Sequence, residues 1–388
     1  MELDVLLTDG NNKHTYAILR ALVEKKLKIG IIFHTKLSLS FYSKYPIRKF
    51  KVNKNIMKDE DMYMTELMHI LRKNRINVIL PVSNISYHFM AKHQDEILKH
   101  VKLLIVKNEI MQIAQNKNMT FEFAQKKGIL IPQTFILTNR HEITQIINEI
   151  KFPCVIKKTN FDESGVIYCN NEKELKHEYN TYVGKLKKDE SLPVIQEYIE
   201  GKGVGFYGLF DNGKCIATFT HERIHEFPIT GGASTFAKSN KNPELEKVGI
   251  KVLEELKWNG IAMVEFKRDR NNNYYLIEIN PKFWGSLELS YVAGINFPYL
   301  VYQLLNNQII SDISYRDNIY FRWIFPHDFL WYWFATKKQK KESRTLGKEC
   351  IIYNNIHWDD PLTILYNILF TGFKLIKERR YPHGKIVK

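Results

Sequence analysis

Cysteine is scarce in this chain, with four residues in 388. Cys154, Cys169, Cys215 and Cys350 show no close pairing of the metal-binding type. Cys154 and Cys169 fall in strand-like apolar context, so reduced core cysteines and a cytoplasmic location are expected. No apolar run reaches the roughly 20 residues needed to cross a bilayer. The opening stretch, MELDVLLTDGNNKHTY, lacks a basic start followed by an apolar core and does not read as a secretory signal. Internal repeats and low-complexity linkers are missing too, and so is a dense arginine cluster. That last absence matters because the formal net charge is +15. So basic a protein can meet nucleic acid or an anionic membrane surface. Here the surplus is mostly lysine spread along the chain. A solvated surface plus a few phosphate-binding lysines accounts for it, and no nucleic-acid partner is expected.

What is present reads as a soluble multidomain protein. Hydrophobic residues make up 44% and charged residues 26%, and the length predicts two or three cores. LDVLLT, KIGIIFH and NVILPVS read as strands alternating with helices such as MYMTELMHILRKN, which predicts a small parallel α/β unit ending near residue 110. Its loops Thr8–Asn12 and Pro81–Asn84 follow strands, where such folds place ligands. No complete G-x-G-x-x-G is present, so a dinucleotide site is not expected. NKNMTFEFAQKKG then reads as a helix capped by Asn116 and stopped by Gly128. IPQTFIL, PCVIKK, VIQEYIEG, GVGFYGLF and KCIATFTHER read as strands, with a turn at Asp211-Asn212-Gly213. EKELKHEYNTYVGKLKK and NPELEKVGIKVLEELKW read as helices. The last stretch, 311–388, is aromatic and basic. It predicts either a small packed lid or a membrane-surface contact with Lys374, Lys377, Arg379 and Arg380 near the headgroups.

The most informative segment is IAMVEFKRDRNNNYYLIEINPKFWGS. With Arg270–Asn273 as the turn of a hairpin, Glu265 falls opposite Glu278, and Asn280 shares the face of Glu278. Facing like charges destabilise a hairpin unless a cation sits between them. Two carboxylates and an amide oxygen are hard ligands suited to Mg²⁺, with phosphate oxygens completing the shell. Lys157 follows the apolar strand residues Val155 and Ile156, where a solvated lysine is less expected, and with Lys117 it can hold polyphosphate. TNFDESGVIY reads as a loop whose Gly165 permits close approach of a phosphate. HERIHEFPITGGAST reads as a second loop, joining Arg223 to Gly231, Gly232, Ser234 and Thr235, able to offer amides and a guanidinium to an anion.

In this order the pieces resemble the ATP-grasp superfamily, and more narrowly its carbamoyl-phosphate-synthase-like carboxylate–amine ligases. The resemblance covers about residues 110–305. It implies an N-terminal Rossmann-like (pre-ATP-grasp) α/β domain over 1–112 and an α+β ATP-grasp domain over 113–310 with its hinge near 196–200. A C-terminal extension over 311–388 follows. By position, Lys117 and Lys157 match the lysines on the ATP phosphates, with Ser164 and Gly165 in the loop that follows. Gln196, Glu197, Tyr198 and Ile199 match the adenine-reading segment. Glu265, Glu278 and Asn280 match the Mg²⁺ (or Mn²⁺) ligands. Arg223 and Lys282 match catalytic cations, and Gly231, Gly232 and Ser234 lie near the acceptor. Lys282 replaces the usual arginine and loses its bidentate fork. The acid that commonly holds the ribose is not evident. The implied activity is ligation of a small carboxylate to an amine through an acyl phosphate, with a homodimer common in such enzymes and the 159–166 loop as a lid. The alternatives are an ATP-grasp small-molecule kinase, or a degenerate nucleotide binder associated with a membrane surface.

Overall fold

The computed structural model describes residues 2–158, 166–187, 190–229, 232–311, 313–345, 351–354 and 357–378. Three sheets organise it. The first contains β1 (Glu2–Leu7), β2 (Ile29–Phe33), β3 (Arg48–Lys51) and β4 (Arg75–Leu80) in the order β3-β2-β1-β4, all parallel. Every residue of β2 is buried, the pattern of a parallel strand covered on both faces. The loops after β1 and β4 hold each other. The Asp9 carboxylate accepts from the Ser83 amide (3.1 Å) and hydroxyl (3.0 Å). That bond network gives Thr8–Asn12 and Pro81–Asn84 a structural explanation without a ligand.

The second sheet contains β5 (Thr134–Phe135), β6 (Cys154–Lys157), β7 (Val166–Cys169) and β8 (Val194–Glu197), antiparallel in the order β5-β8-β6-β7. The strand expected over IPQTFIL shrinks to two residues, next to Pro132, which has no N–H for a ladder. Cys154 and Cys169 face each other across β6 and β7 as buried free thiols. The helix Glu172–Val183 closes this lobe's own core with Leu175 and Tyr179.

The third sheet contains β9 (Lys202–Asp211), β10 (Lys214–Phe227), β11 (Ala233–Ser239), β12 (Gly260–Arg268), β13 (Tyr274–Asn280), β14 (Tyr320–Trp323) and β15 (Ile351–Asn354). Their order is β13-β12-β9-β10-β11-β14-β15, antiparallel except for β14 on β15. Here the structure corrects the sequence reading. HERIHEF is not a loop. It is the second half of β10, which runs to Phe227, and β11 resumes at Ala233. The stretch after residue 310 is continuous with this third sheet through β14 and β15. Its helix Phe329–Phe334 places Leu330 and Trp331 against Phe227. Asp360, before the helix Pro361–Glu378, accepts from Tyr16 (3.2 Å) and Ser43 (2.6 Å) of the N-terminal unit. The extension therefore packs on both units. The outer side of its last helix leaves Leu362, Leu365 and Leu369 more than half exposed. Among the described residues no helix is long and apolar enough to cross a membrane.

Candidate active site

The hairpin brings the two acids together as its alternation demands. Glu265 pairs with Glu278, and Met263 with Asn280. The loop, Asp269–Asn273, begins one residue earlier than expected. A bulge compensates, because Phe266 pairs with Leu276 and Glu265 with Glu278, leaving Ile277 as the extra residue. The Asn280 amide nitrogen donates to Glu278 Oε1 at 2.7 Å. Arg223, from β10, reaches across to Glu265 Oε2 at 2.7 Å and Glu226 Oε1 at 3.3 Å.

From the second sheet comes Lys157, the last residue of β6. It is 6% exposed, and its ammonium is buried without a hydrogen-bond partner. The ring of Phe121 lies 5.4 Å away. Burial pulls its pKa down to about 8. The carboxylates of Glu278 and Glu265 work against that shift, and Lys117 works with it. Lys117 opens the helix Lys117–Lys126, whose first amides are capped by Asn116, as expected. Its ammonium donates to the Lys158 carbonyl at 3.1 Å. Lys282 stands in the turn after β13, its pKa lowered by burial and held up by Glu278 and Glu265.

Two facing carboxylates in a buried place do not ionise independently. Burial and the charge of Glu278 push Glu265 up to about 7, against the pull of Arg223. Burial also opposes ionisation of Glu278, but the Asn280 hydrogen bond and the fields of Lys117, Lys157 and Arg223 outweigh it, and its pKa lies below the ordinary range. The arrangement has the chemistry of a site for a divalent cation with polyphosphate. It offers two acids and an amide oxygen, ringed by Lys117, Lys157, Arg223 and Lys282, with the buried ammonium of Lys157 lacking a hydrogen-bond partner. Among the described residues no cluster of three or more His, Cys, Asp or Glu is placed to hold a metal ion. A mixed set of two acids and one amide is what the hairpin supplies.

The segment between the lobes is partly committed. Gln196 is buried and donates to Thr134 at 2.8 Å. The amides of Glu197 and Tyr198 donate to the carbonyls of Gln133 (2.9 Å) and Pro153 (3.3 Å). Ile199 is the next residue with an amide to offer. Ser164, Gly165 and Gly231, and residues 159–165 of the expected lid, lie outside the described residues. At Gly232 a β-carbon would strike the Phe227 carbonyl, so this glycine has a packing reason. Ser234 pairs with Glu226 across β10 and β11.

Sequence reasoning missed several neighbours. Glu226 holds Arg223. Behind them His221 bonds Tyr207 and Ser286 (2.8 Å), and burial lowers its pKa to about 3, so it stays neutral. The signal was available. His221, Arg223 and His225 alternate in HERIHEF, a period of two that fits a strand.

Residues 194–324 match the family model described as ATP-grasp in the biosynthetic pathway with Ter operon. That stretch resembles an ATP-grasp domain. The matched stretch runs from β8 to the end of β14 and so includes the strand beyond residue 310. An uncharacterised protein of Methanocaldococcus jannaschii is 26% identical over 202 residues, 52% of this chain and 48% of that one. The chain thus spans about half the length of that relative. The N5-carboxyaminoimidazole ribonucleotide synthase of Staphylococcus haemolyticus is 22% identical over 64% of this chain and 70% of its own. Among solved structures, the L-amino acid ligase from Bacillus licheniformis superposes with a TM-score of 0.62 at 17% identity, over 81% of this chain and 78% of that one. At that identity the likeness concerns the ATP-grasp fold, which is mixed α/β with an N-terminal domain before it.

Proposed function

We propose that the protein is an ATP-dependent carboxylate–amine ligase. The observation that carries this reading is the buried, unpartnered ammonium of Lys157, held between lobes and within the field of the facing pair Glu265 and Glu278. A lysine is not left in that state without an anion to receive, and polyphosphate between the lobes supplies one.

Lys157 and Lys117 would neutralise the phosphate tail. The free edge of the hinge at Ile199 would meet the adenine, since the two preceding amides are spent. Glu265, Glu278 and Asn280 would hold Mg²⁺, with Mn²⁺ as an alternative of the same ligand preference. When bound, that ion supplies charge neutralisation and orientation of the phosphates. A carboxylate oxygen of the first substrate attacks the γ-phosphorus, ADP departs, and an acyl phosphate results. Arg223 and Lys282 stabilise the charge on the transferred group. An amine then attacks the acyl carbon, and phosphate leaves with the bonding pair. Positioning and neutralisation supply most of the rate. The segment after residue 310 contributes two strands to the sheet. We place it in the catalytic unit rather than in a separate lid.

The test is ADP release in the presence of Mg²⁺ across pairs of small carboxylates and amines. Glu278→Gln is expected to abolish release, and parent-rate turnover by that variant refutes the metal assignment. A kinase on the same fold would leave a stable phosphorylated product and need no amine, so product analysis separates the two.

A further inference from the structure

A cavity of about 450 Å³ opens beside the cluster. Arg223 and Glu226 line it, so it adjoins the place where the acyl phosphate would form. Its other wall is the C-terminal segment, through Trp331 and Glu342. His225, two residues beyond Arg223 on β10, lines the cavity as well. Register shifts flank it on both sides, between Arg223 and His225 and between His225 and Glu226. Bulges of this kind re-aim a side chain.

The imidazole of His225 is held in one orientation by three strands and a helix. Its Nδ1–H donates to Asp328 Oδ1 at 2.8 Å. The same carboxylate takes the Thr235 hydroxyl at 3.0 Å and faces Arg322 at 3.3 Å. Trp331 stacks on the ring, with centroids 3.4 Å apart and planes 8° from parallel. The residue is 2% exposed, and its Nε2 is buried without a hydrogen-bond partner. With the proton fixed on Nδ1, Nε2 carries a lone pair. A histidine that only stapled the extension to the sheet would have no use for an uncommitted acceptor, which costs stability when left buried. A base oriented by a carboxylate, with its other nitrogen buried but unbonded, is the arrangement of a proton acceptor. Lys238, over the Tyr320 ring at 5.7 Å, and Lys267, which donates to the Gly201 carbonyl at 3.3 Å, line the same cavity, and neither forms an ion pair with a carboxylate among the described residues. They suit an anionic group on the incoming molecule.

Resting on the ligase reading, we propose that this cavity is the acceptor subsite for an amino acid and that His225 is the catalytic residue that deprotonates its ammonium. The acceptor carboxylate lies towards Lys238 and Lys267, and one ammonium N–H is donated to His225 Nε2. The proton passes to Nε2 and the resulting imidazolium is stabilised by Asp328. The freed nitrogen lone pair forms the C–N bond to the acyl carbon, and the C–O bond to phosphate breaks with its electron pair. The second nitrogen proton leaves on the phosphate, and the imidazolium returns its proton to solvent. Around the ring, Asp328 favours the charged form, while burial and Arg322 oppose it. Arg223 and Glu226 on its own strand, and Tyr332 from the helix, complete the charged and titratable surroundings. Burial prevails, so the imidazole is the free base at neutral pH.

The test uses the full chain with ATP, Mg²⁺ and a panel of the twenty common amino acids as both carboxylate and amine. Hydroxylamine traps the acyl phosphate as a hydroxamate and is already unprotonated at neutral pH, so it bypasses the base. His225→Gln is expected to lower amide formation relative to hydroxamate formation by about 10²–10⁴-fold, the range of general-base catalysis. The deficit is expected to narrow towards pH 9, where free amine is abundant. An equal fall in both products, or no change in their ratio, overturns the assignment. The unaltered protein gives an independent reading. Its ratio of amide to hydroxamate is expected to fall as pH drops below the ordinary histidine range, and a ratio that does not change with pH overturns it. No hydroxamate from the unaltered protein with any carboxylate refutes the ligase reading itself, whereas hydroxamate with an unaffected ratio refutes only the role of His225.

Discussion

Replacing Lys157 by methionine is expected to stabilise the protein without nucleotide while destroying its response to nucleotide. The reasoning starts from burial. A solvated lysine titrates near 10.5, and Lys157 titrates at about 8 with burial as the leading cause. That difference corresponds to about 3 kcal/mol of free energy charged against the folded state while the ammonium persists. Methionine fills a similar volume and keeps the contact with Phe121, although the cation–π attraction, roughly 0.5–1 kcal/mol, is lost. A net gain of about 2 kcal/mol at pH 7 follows. The sign of the pH dependence is fixed. The folded pKa lies below the unfolded one, so folding carries the full cost below pH 8. As pH rises from about 8 to 10.5 the folded lysine is neutral while the unfolded one is still charged, and the parent protein gains stability. The advantage of the variant is therefore largest at pH 7 and shrinks towards pH 10.5. Denaturant midpoints at pH 7 and pH 10, with and without MgADP, measure all of this. A variant less stable than the parent at pH 7 without nucleotide refutes the burial argument. An undiminished midpoint shift on adding MgADP refutes the phosphate role.

Two further outcomes follow from the hairpin and its surroundings. Because Glu265 titrates near 7, loading Mn²⁺ at pH 6 is expected to release close to one proton and at pH 8 almost none. Calorimetry in buffers of different ionisation enthalpy counts the protons, and pH-independent release excludes Glu265 as a ligand. Gly205 sits where a β-carbon would run into the Tyr207 ring and hydroxyl. Gly205→Ala is expected to cost about 1–3 kcal/mol by overpacking and to weaken the hold of Tyr207 and His221 on the Arg223 side of the site. An unchanged denaturant midpoint removes that support.

How far the sequence discloses the site depends on the range of the interactions involved. The facing acids were legible because strand alternation is a local rule and the segment is apolar on both sides of an obvious turn. Even there two local features, a loop starting at Asp269 and a bulge at Ile277, offset each other, and the turn alone would have given a false register. The half of β10 after Arg223 was misread for a physical reason. Strands are recognised by apolar residues facing a core, but His221, Arg223 and His225 are buried on polar partners of their own, Tyr207, Glu265 and Asp328, so the segment carries no apolar signature. The short edge strand β3, Arg48-Lys49-Phe50-Lys51, is hidden for a related reason, since an edge strand guarded by cations has no apolar signature. Least legible is the clamp on His225. Asp328 and Arg322 stand about a hundred residues further along the chain and reach β10 only because β14 adds to β11. No spacing rule connects them. The residues that differ most from a generic nucleotide site are therefore those supplied by the tertiary fold, and the identity of the acceptor is to be sought where the C-terminal segment closes on the sheet.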